Sequence, residues 1–367
     1  MLDPRIEKLA HLLVHYSVKI QPGDWVYVRG SVAALPLVEQ VARQVWQAGG
    51  NATVALSNDN LLETFYRVAS QDQIEWLDPT QTMLFEQVDA LISIRASENT
   101  RALTNIDPAL QAAASKARQP IMQTYMQRSA EGKLRWVGTQ YPTLAYAQDA
   151  DMSLSEYEDF VYGACAVDQA DPVAYWQGIH KEQARLIEYL QGKKQMTVRG
   201  PNIDMSLSIE GRTFINSDGS HNMPSGEIFT GPVEDSVNGW VRFTYPAIRD
   251  GREVDGVEFK FENGKLTEAS AKKNEAYLLS QLDSDAGARY LGEFAIGTNY
   301  NIQRFTKSIL YDEKIGGTLH MAVGAGYPET GSQNTSNVHW DFICDMRDDS
   351  EIHVDGELFY KNGQFQV

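Results

Sequence analysis

The sequence predicts two domains of different class. Residues 1–193 read as an α/β domain with a mostly parallel sheet, and residues 194–367 as an α+β, antiparallel-rich domain. Three observations predict this. The first half alternates apolar strand runs with helical periodicities, the second is built of short alternating strands with Asx-Gly turns, and the polar stretch Gln191-Gly192-Lys193-Lys194 separates the two textures. A chain of 367 residues is long enough to fill two cores.

In order, Asp3-Pro4 opens a helix whose apolar positions Ile6, Leu9, Leu12 and Leu13 follow helical spacing. His11 and His15 lie four apart on it, a spacing that could clamp a metal, but no carboxylate completes the set. Pro22-Gly23-Asp24 turns into a strand at 25–29. A helix through Leu37, Val38, Val41 and Val45 follows and stops at Gly49-Gly50, before a strand at 52–56. Strands at 88–94 and 134–137 continue the alternation with helical segments between them, which argues parallel pairing under covering helices. Helical patterns at 154–164 and 173–190 close this half. No dinucleotide or P-loop signature occurs: the turn after Arg29 is Gly30-Ser31-Val32-Ala33, and Gly324-Ala325-Gly326 leads into Tyr-Pro rather than a helix.

In the second half Met205, Leu207 and Ile209 alternate with polar residues. Asn263-Gly264 joins 257–261 to 266–271, and Asp355-Gly356 joins 352–354 to 358–360, both as type I′ hairpin signals. One helix, at 274–282, interrupts. Towards the end, Leu319, Met321 and Val323 alternate with His320, Ala322 and Gly324, and Val338, Trp340 and Phe342 alternate with His339, Asp341 and Ile343. A single strand histidine is ordinarily structural. Two of only seven histidines, each aimed from a strand into space cleared by small residues or set beside a carboxylate, point instead to a metal site suited to zinc, cobalt or manganese.

The totals exclude some function classes. A formal charge of −17 offers no basic surplus for nucleic acid or an anionic membrane. Cys165 and Cys344 make no disulfide framework. No signal peptide or membrane-length apolar run is evident, so a soluble cytoplasmic protein is expected.

Acidic residues that could join the histidines sit in unusual surroundings. Glu227 follows the tight turn Met223-Pro224-Ser225-Gly226, Glu293 lies amid Gly, Phe and Ala, and Leu310-Tyr311-Asp312-Glu313 runs towards His320. In sequence order, M-P-S-G-E-I-F-T-G-P, G-E-F-A-I-G, L-Y-D-E with L-H-M-A-V-G-x-x-Y, and N-V-H-W-D-F-I resemble the motifs of the aminopeptidase T / AmpS / PepS family of dinuclear metallo-aminopeptidases. The motif match runs from Asn216 to about Cys344, and the first half agrees in architecture. Two spacings depart from the family pattern: the gap from Glu313 to His320 is longer, and the segment between His320 and His339 shorter.

The resemblance implies that the second domain carries a dinuclear site, with Glu227, Glu293, Glu313, His320, His339 and Asp341 as ligands of two divalent ions. It also implies Tyr327 as an active-site tyrosine and a homodimer acting on peptides with a free N-terminus. On charge, four carboxylates match two divalent ions. The chemistry expected is hydrolysis of the N-terminal peptide bond by a metal-activated water, with Glu293 carrying the proton and Tyr327 donating to the oxyanion. Two other readings stay open. A two-metal phosphoesterase would want Arg or Lys beside the ligands, and these motifs hold neither apart from Lys314. A non-enzymatic peptide-binding protein would have lost a ligand, and none is missing.

Overall fold

A computed structural model describes residues 3–249 and 251–367. Met1 and Leu2, the start of the N-terminal stretch considered above for a signal peptide, lie outside the described residues. The chain forms two compact units, residues 1–175 with 219–224, and 176–218 with 225–367.

The first unit begins with the predicted helix, Pro4–His11. Asp3 caps it by accepting from the Arg5 backbone N–H, and proline stands in its first turn, where a missing donor costs nothing. The helix widens into a π-helical stretch at Leu12–Ser17. His11 and His15 lie with ring centroids 4.3 Å apart and their planes tilted by 36°, and His15 Nε2 lies 3.1 Å from Gln44 Oε1. Neither belongs to a group of metal-competent side chains among the described residues.

The sheet of this unit is parallel throughout, in the order Asn51–Ser57, Trp25–Ser31, Ala90–Arg95, Arg135–Gln140 and the short Asn222–Met223. The expected alternation of strand and helix is therefore present, with the helix Leu35–Gln47 burying Leu37, Val38, Val41 and Val45.

The second unit holds two main sheets, both antiparallel. The larger has eight strands in the order Lys265–Ser270, Glu258–Glu262, Asn238–Arg242, Ile203–Ser208, Gln195–Gly200, Glu351–Val354, Glu357–Lys361 and Gln364–Phe365. Both predicted hairpins lie in it. Asn263 and Gly264 adopt φ of 50° and 81°, and Asp355 and Gly356 adopt 49° and 85°, as a type I′ turn requires. The smaller sheet has five strands in the order His339–Asp345, Thr318–Gly324, Leu291–Gly297, Glu227–Thr230 and Ile215–Ser217. Phe294, Ile296, Leu319, Met321, Val323, Trp340 and Phe342 from the smaller sheet share one buried cluster with Val198, Met205, Leu207, Val241, Phe259 and Phe261 from the larger. This core fixes one face of the five-stranded sheet inward and leaves the other for the residues of the site.

No described helix is long and apolar enough to cross a membrane. Both cysteines are buried and unpaired with each other.

Candidate metal centre

Cross-strand register gathers the site. Ala295 pairs with His320 and His320 with Ile343; Glu293 pairs with Ala322 and Ala322 with Asp341; Gly324 pairs with His339, and Gly297 with Glu227. Directly paired residues share a face, so Glu227, Glu293, His320, His339 and Asp341 rise from the face opposite the core. Ala295, Gly297, Ala322 and Gly324 lie between them and leave room above the sheet. The two alternations predict this arrangement, including Ile343, which lies on the site face and is buried there.

A bulge tunes the Glu293 strand. Leu291 pairs with Val323 and Glu293 with Ala322, so Gly292 is an extra residue. Leu291 can then join the core while Glu293, two positions on, faces the site. A side chain at Gly292 would put its Cβ 2.2 Å from the Ala325 carbonyl oxygen, so the loop following the His320 strand needs glycine there. Glu227 enters its strand from Gly226, which has φ of +114° and packs on Asn299. Asn299 Nδ2 donates to the Ser225 carbonyl and the Asn299 backbone N–H to that of Lys314, tying the Glu227 turn to the loop that bears Glu313.

Glu313 follows the short helix Ile309–Asp312. It reaches the cluster from outside the sheet, where one of its oxygens forms a metal-competent group with His320 and Asp341. Two further groups are Glu227–Glu293–His320 and Glu293–His339–Asp341, with the atoms of each within 4.8 Å of one another. All six predicted ligand positions therefore meet in one place. Glu293 stands at the middle: Oε1 lies 3.4 Å from His320 Nε2, and Oε2 lies 3.4 Å from His339 Nε2. His320 Nε2 is 3.5 Å from Glu227 Oε2, and His339 Nε2 is 3.6 Å from Asp341 Oδ1.

The surroundings prepare these groups for a cation. His339 Nδ1 lies 2.8 Å from the Ala325 carbonyl, which can only accept, so Nδ1 carries a proton and Nε2 is the nitrogen turned to the carboxylates, free to give up its own proton to a cation. Arg249 donates to the His339 carbonyl at 2.9 Å and steadies that strand. Glu227 Oε2 is buried with no hydrogen-bond partner among the described residues. Glu227 and Glu293 are 4% exposed and His320 1%.

Without a cation the cluster must hold protons. Burial pushes the Glu313 carboxyl up to about 7, with Glu227 and Asp341 adding to the rise and Lys314 opposing it. Burial alone would lower both imidazoles. The Glu293, Glu227 and Glu313 carboxylates instead bring His320 up to about 9, and Asp341 and Glu293 bring His339 up to about 11. Burial likewise opposes ionisation of Glu293, but the two imidazoles outweigh it and hold the carboxyl down at about 2. This is how carboxylates starved of positive charge behave. Divalent ions among four carboxylates and two imidazoles would meet that demand, so the residues fit a metal centre.

Tyr327 is 40% exposed, and its ring lies 5.3 Å from both the His339 and Phe229 rings. Its phenol is pushed well above the ordinary range by burial and by the carboxylates nearby, so it is a hydrogen-bond donor at neutral pH. Asp312, beside Glu313 in sequence, turns away. It accepts from the Thr306 N–H and hydroxyl at 2.7 and 2.9 Å, and burial pushes it up to about 8.

One charged residue in the cluster is not among the predicted site residues. Lys314 is 1% exposed, and its ammonium donates to Glu227 Oε1 at 2.7 Å and to Glu313 Oε1. In the sequence it stands out only as the one basic residue beside the motifs. With it inside, four carboxylates and one ammonium carry −3, so two divalent ions leave +1 and one leaves −1. Charge counting alone then no longer separates one ion from two. The lysine is also held by two carboxylates rather than free to grip a phosphate.

A family profile described as thermophilic metalloprotease (M29) matches residues 2–365. Aminopeptidase 2 of Geobacillus stearothermophilus is 29% identical over 392 residues, spanning 96% of this chain and 94% of that protein. The solved structure of wild-type AmpT from Thermus thermophilus superposes with a TM-score of 0.87 at 23% identity and covers 100% of both chains. A 2,5-dihydroxypyridine dioxygenase from Pseudomonas putida KT2440 shares the fold at a TM-score of 0.59 and 12% identity, covering 99% of this chain and 97% of that one. One fold thus carries different chemistries, and the site residues must decide between them.

Proposed function

The chain belongs to the thermophilic metalloprotease (M29) family, and on that premise we propose that it is an aminopeptidase that hydrolyses the N-terminal peptide bond of peptides. The observation that carries the reading is the convergence of Glu227, Glu293, Glu313, His320, His339 and Asp341 on one sheet face cleared by alanine and glycine. The family likeness and the curated aminopeptidase relative support it. All six residues fall in the stretch 194–367, which we take as the catalytic domain.

In this reading the six side chains hold two divalent ions of zinc, cobalt or manganese. Such ions bring the pKa of a water from ~15.7 towards ~7 and polarise the carbonyl to be attacked. The rest is done by the chain. A free α-amine needs a carboxylate or a metal to hold it, and this site can offer both, so the N-terminus of a peptide is selected. Glu293 accepts a proton at a carboxylate oxygen and delivers it to the departing amine. Tyr327 donates a hydrogen bond to the oxygen on which charge develops. Buried Phe229 beside Tyr327 adds an apolar wall at this end of the site.

Release of p-nitroaniline from leucyl-p-nitroanilide, dependent on added zinc, cobalt or manganese, tests the activity. N-acetylated peptides should be poor substrates. Equal rates on acetylated and free peptides would overturn the assignment, as would cleavage at internal bonds. A phosphoesterase would instead turn over p-nitrophenyl phosphate, and a peptide-binding protein would bind without turnover.

A further inference from the structure

Lys314 takes no part in the proposed hydrolysis, although it is buried within the cluster. Its ammonium takes Oε1 of Glu227 and Oε1 of Glu313. Each of those carboxylates then has one oxygen left for a metal, and for Glu227 that oxygen is the unpartnered Oε2 beside His320. Among the described residues, Glu293, His339 and Asp341 are not partners of the ammonium.

Local charge therefore differs across the site. Glu293 and Asp341 carry −2, which one divalent ion neutralises. Glu227–Glu293–His320 and Glu313–His320–Asp341 each contain a carboxylate that Lys314 holds, so with the ammonium either carries −1, and a divalent ion there leaves a surplus of +1 close to an ammonium in a water-poor interior.

We propose that Lys314 makes the two ion positions unequal. The group Glu293–His339–Asp341 takes its ion first and tightly, and the position at His320, which draws on a carboxylate held by Lys314 in either of its groups, fills second and more weakly. This rests on the reading that the cluster holds two divalent ions. Lys314 is in these terms a positioning residue. It holds Glu227 and Glu313 in place while the second ion is absent, and it limits each to one-oxygen contact when that ion arrives. The enzyme can then keep a folded, singly loaded centre and gain its second ion according to supply.

The test is a titration of metal-free protein with Zn²⁺ alone, followed by calorimetry and by counting bound ions with native mass spectrometry. The wild type should bind two ions in separate steps, the second at least about 30-fold weaker, the scale set by a buried charge facing a like charge. Lys314→Met keeps most of the stem volume without the charge, and Lys314→Gln keeps hydrogen bonding without it. In both, the two steps should close to within about threefold. Two ions of equal affinity in the wild type would overturn the proposal, even if neither variant folds. Unchanged step ratios in folded Lys314→Met and Lys314→Gln would also overturn it. Failure of the wild type to bind any Zn²⁺ would instead defeat the metal-centre reading itself.

Discussion

Replacing His339 by alanine removes a neutral donor and leaves the carboxylates behind. Turnover should fall at least ~100-fold and metal should be lost more readily on dialysis, since losing even a supporting residue can cost that much. Full activity with normal metal content would show that the residue is not a ligand. His180 and His353 are controls: His180 pairs with Asp218 at 2.8 Å and His353 with Glu351 at 3.2 Å, both outside the cluster, and alanine at either should change little. Tyr327→Phe should lower kcat by roughly 100-fold with little change in KM if its hydroxyl acts on developing charge. His320, His339 and Asp341 stand out because histidine is scarce here and because alternation puts His339 beside Asp341, whereas Glu227, Glu293 and Glu313 join them as expected ligands only through the motif resemblance. Lys314 is not legible as part of the site, because a lysine following a glutamate at a helix end is ordinarily solvated. Its burial depends on Glu227, 87 residues upstream.

Elements place these side chains, and the Gly292 bulge does so most directly. Gly292→Ala would force its Cβ against the Ala325 carbonyl, whose oxygen also orients His339. We expect a loss of about 1–3 kcal/mol of stability, typical of overpacking, together with weakened metal binding. Thermal melts and metal retention would check it, and a variant of unchanged stability and affinity would mean that the loop shifts freely. The two Asx-Gly hairpins were legible because their residues accept positive φ, a local property. The bulge and the order of strands in each sheet were not, since pairing between distant segments leaves no period in the chain. The strand Asn222–Met223 is two residues long and too short to carry any pattern.

At the scale of the molecule, the cluster ties stability to metal and pH. In the metal-free chain, folded pKa values lie above unfolded ones for Glu313 (4.5 to about 7), Asp312 (3.8 to about 8), His320 (6.5 to about 9) and His339 (6.5 to about 11). A raised group stabilises fully below its unfolded pKa, and that stability is lost as pH rises through the folded one. Acidifying the metal-free chain from pH 8 to pH 5 should therefore raise its Tm. Glu293 acts oppositely, but its stability is lost only as pH falls from 4.5 through about 2, below this window. Metal binding stabilises the native state, by about 2.7 kcal/mol per site at a hundredfold excess over Kd, and protons compete with it. Chelation should thus lower Tm clearly at pH 7–8 and less at pH 5, as scanning fluorimetry can follow. An unchanged Tm at pH 7 after proven metal loss would show that these carboxylates do not act as one cluster. A symmetric dimer is a further expectation; light scattering at the single-chain mass would count against it. The two fold classes were legible in the change from alternating helix and strand to Asx-Gly hairpins.

The strand Gln195–Gly200 is the first of the second unit's large sheet to leave the ribosome, yet one of its two neighbours, Glu351–Val354, is among the last. Until Glu351–Val354 emerges, the strand Gln195–Gly200 lacks a partner on one side, and an open edge invites pairing with other chains. A chain truncated after Ser350 should accordingly aggregate even with all six proposed ligands intact, whereas the full chain should stay dispersed under the same conditions. Sedimentation of the two during cell-free synthesis would decide it. The sheet that carries no ligand would then set how safely the protein is made.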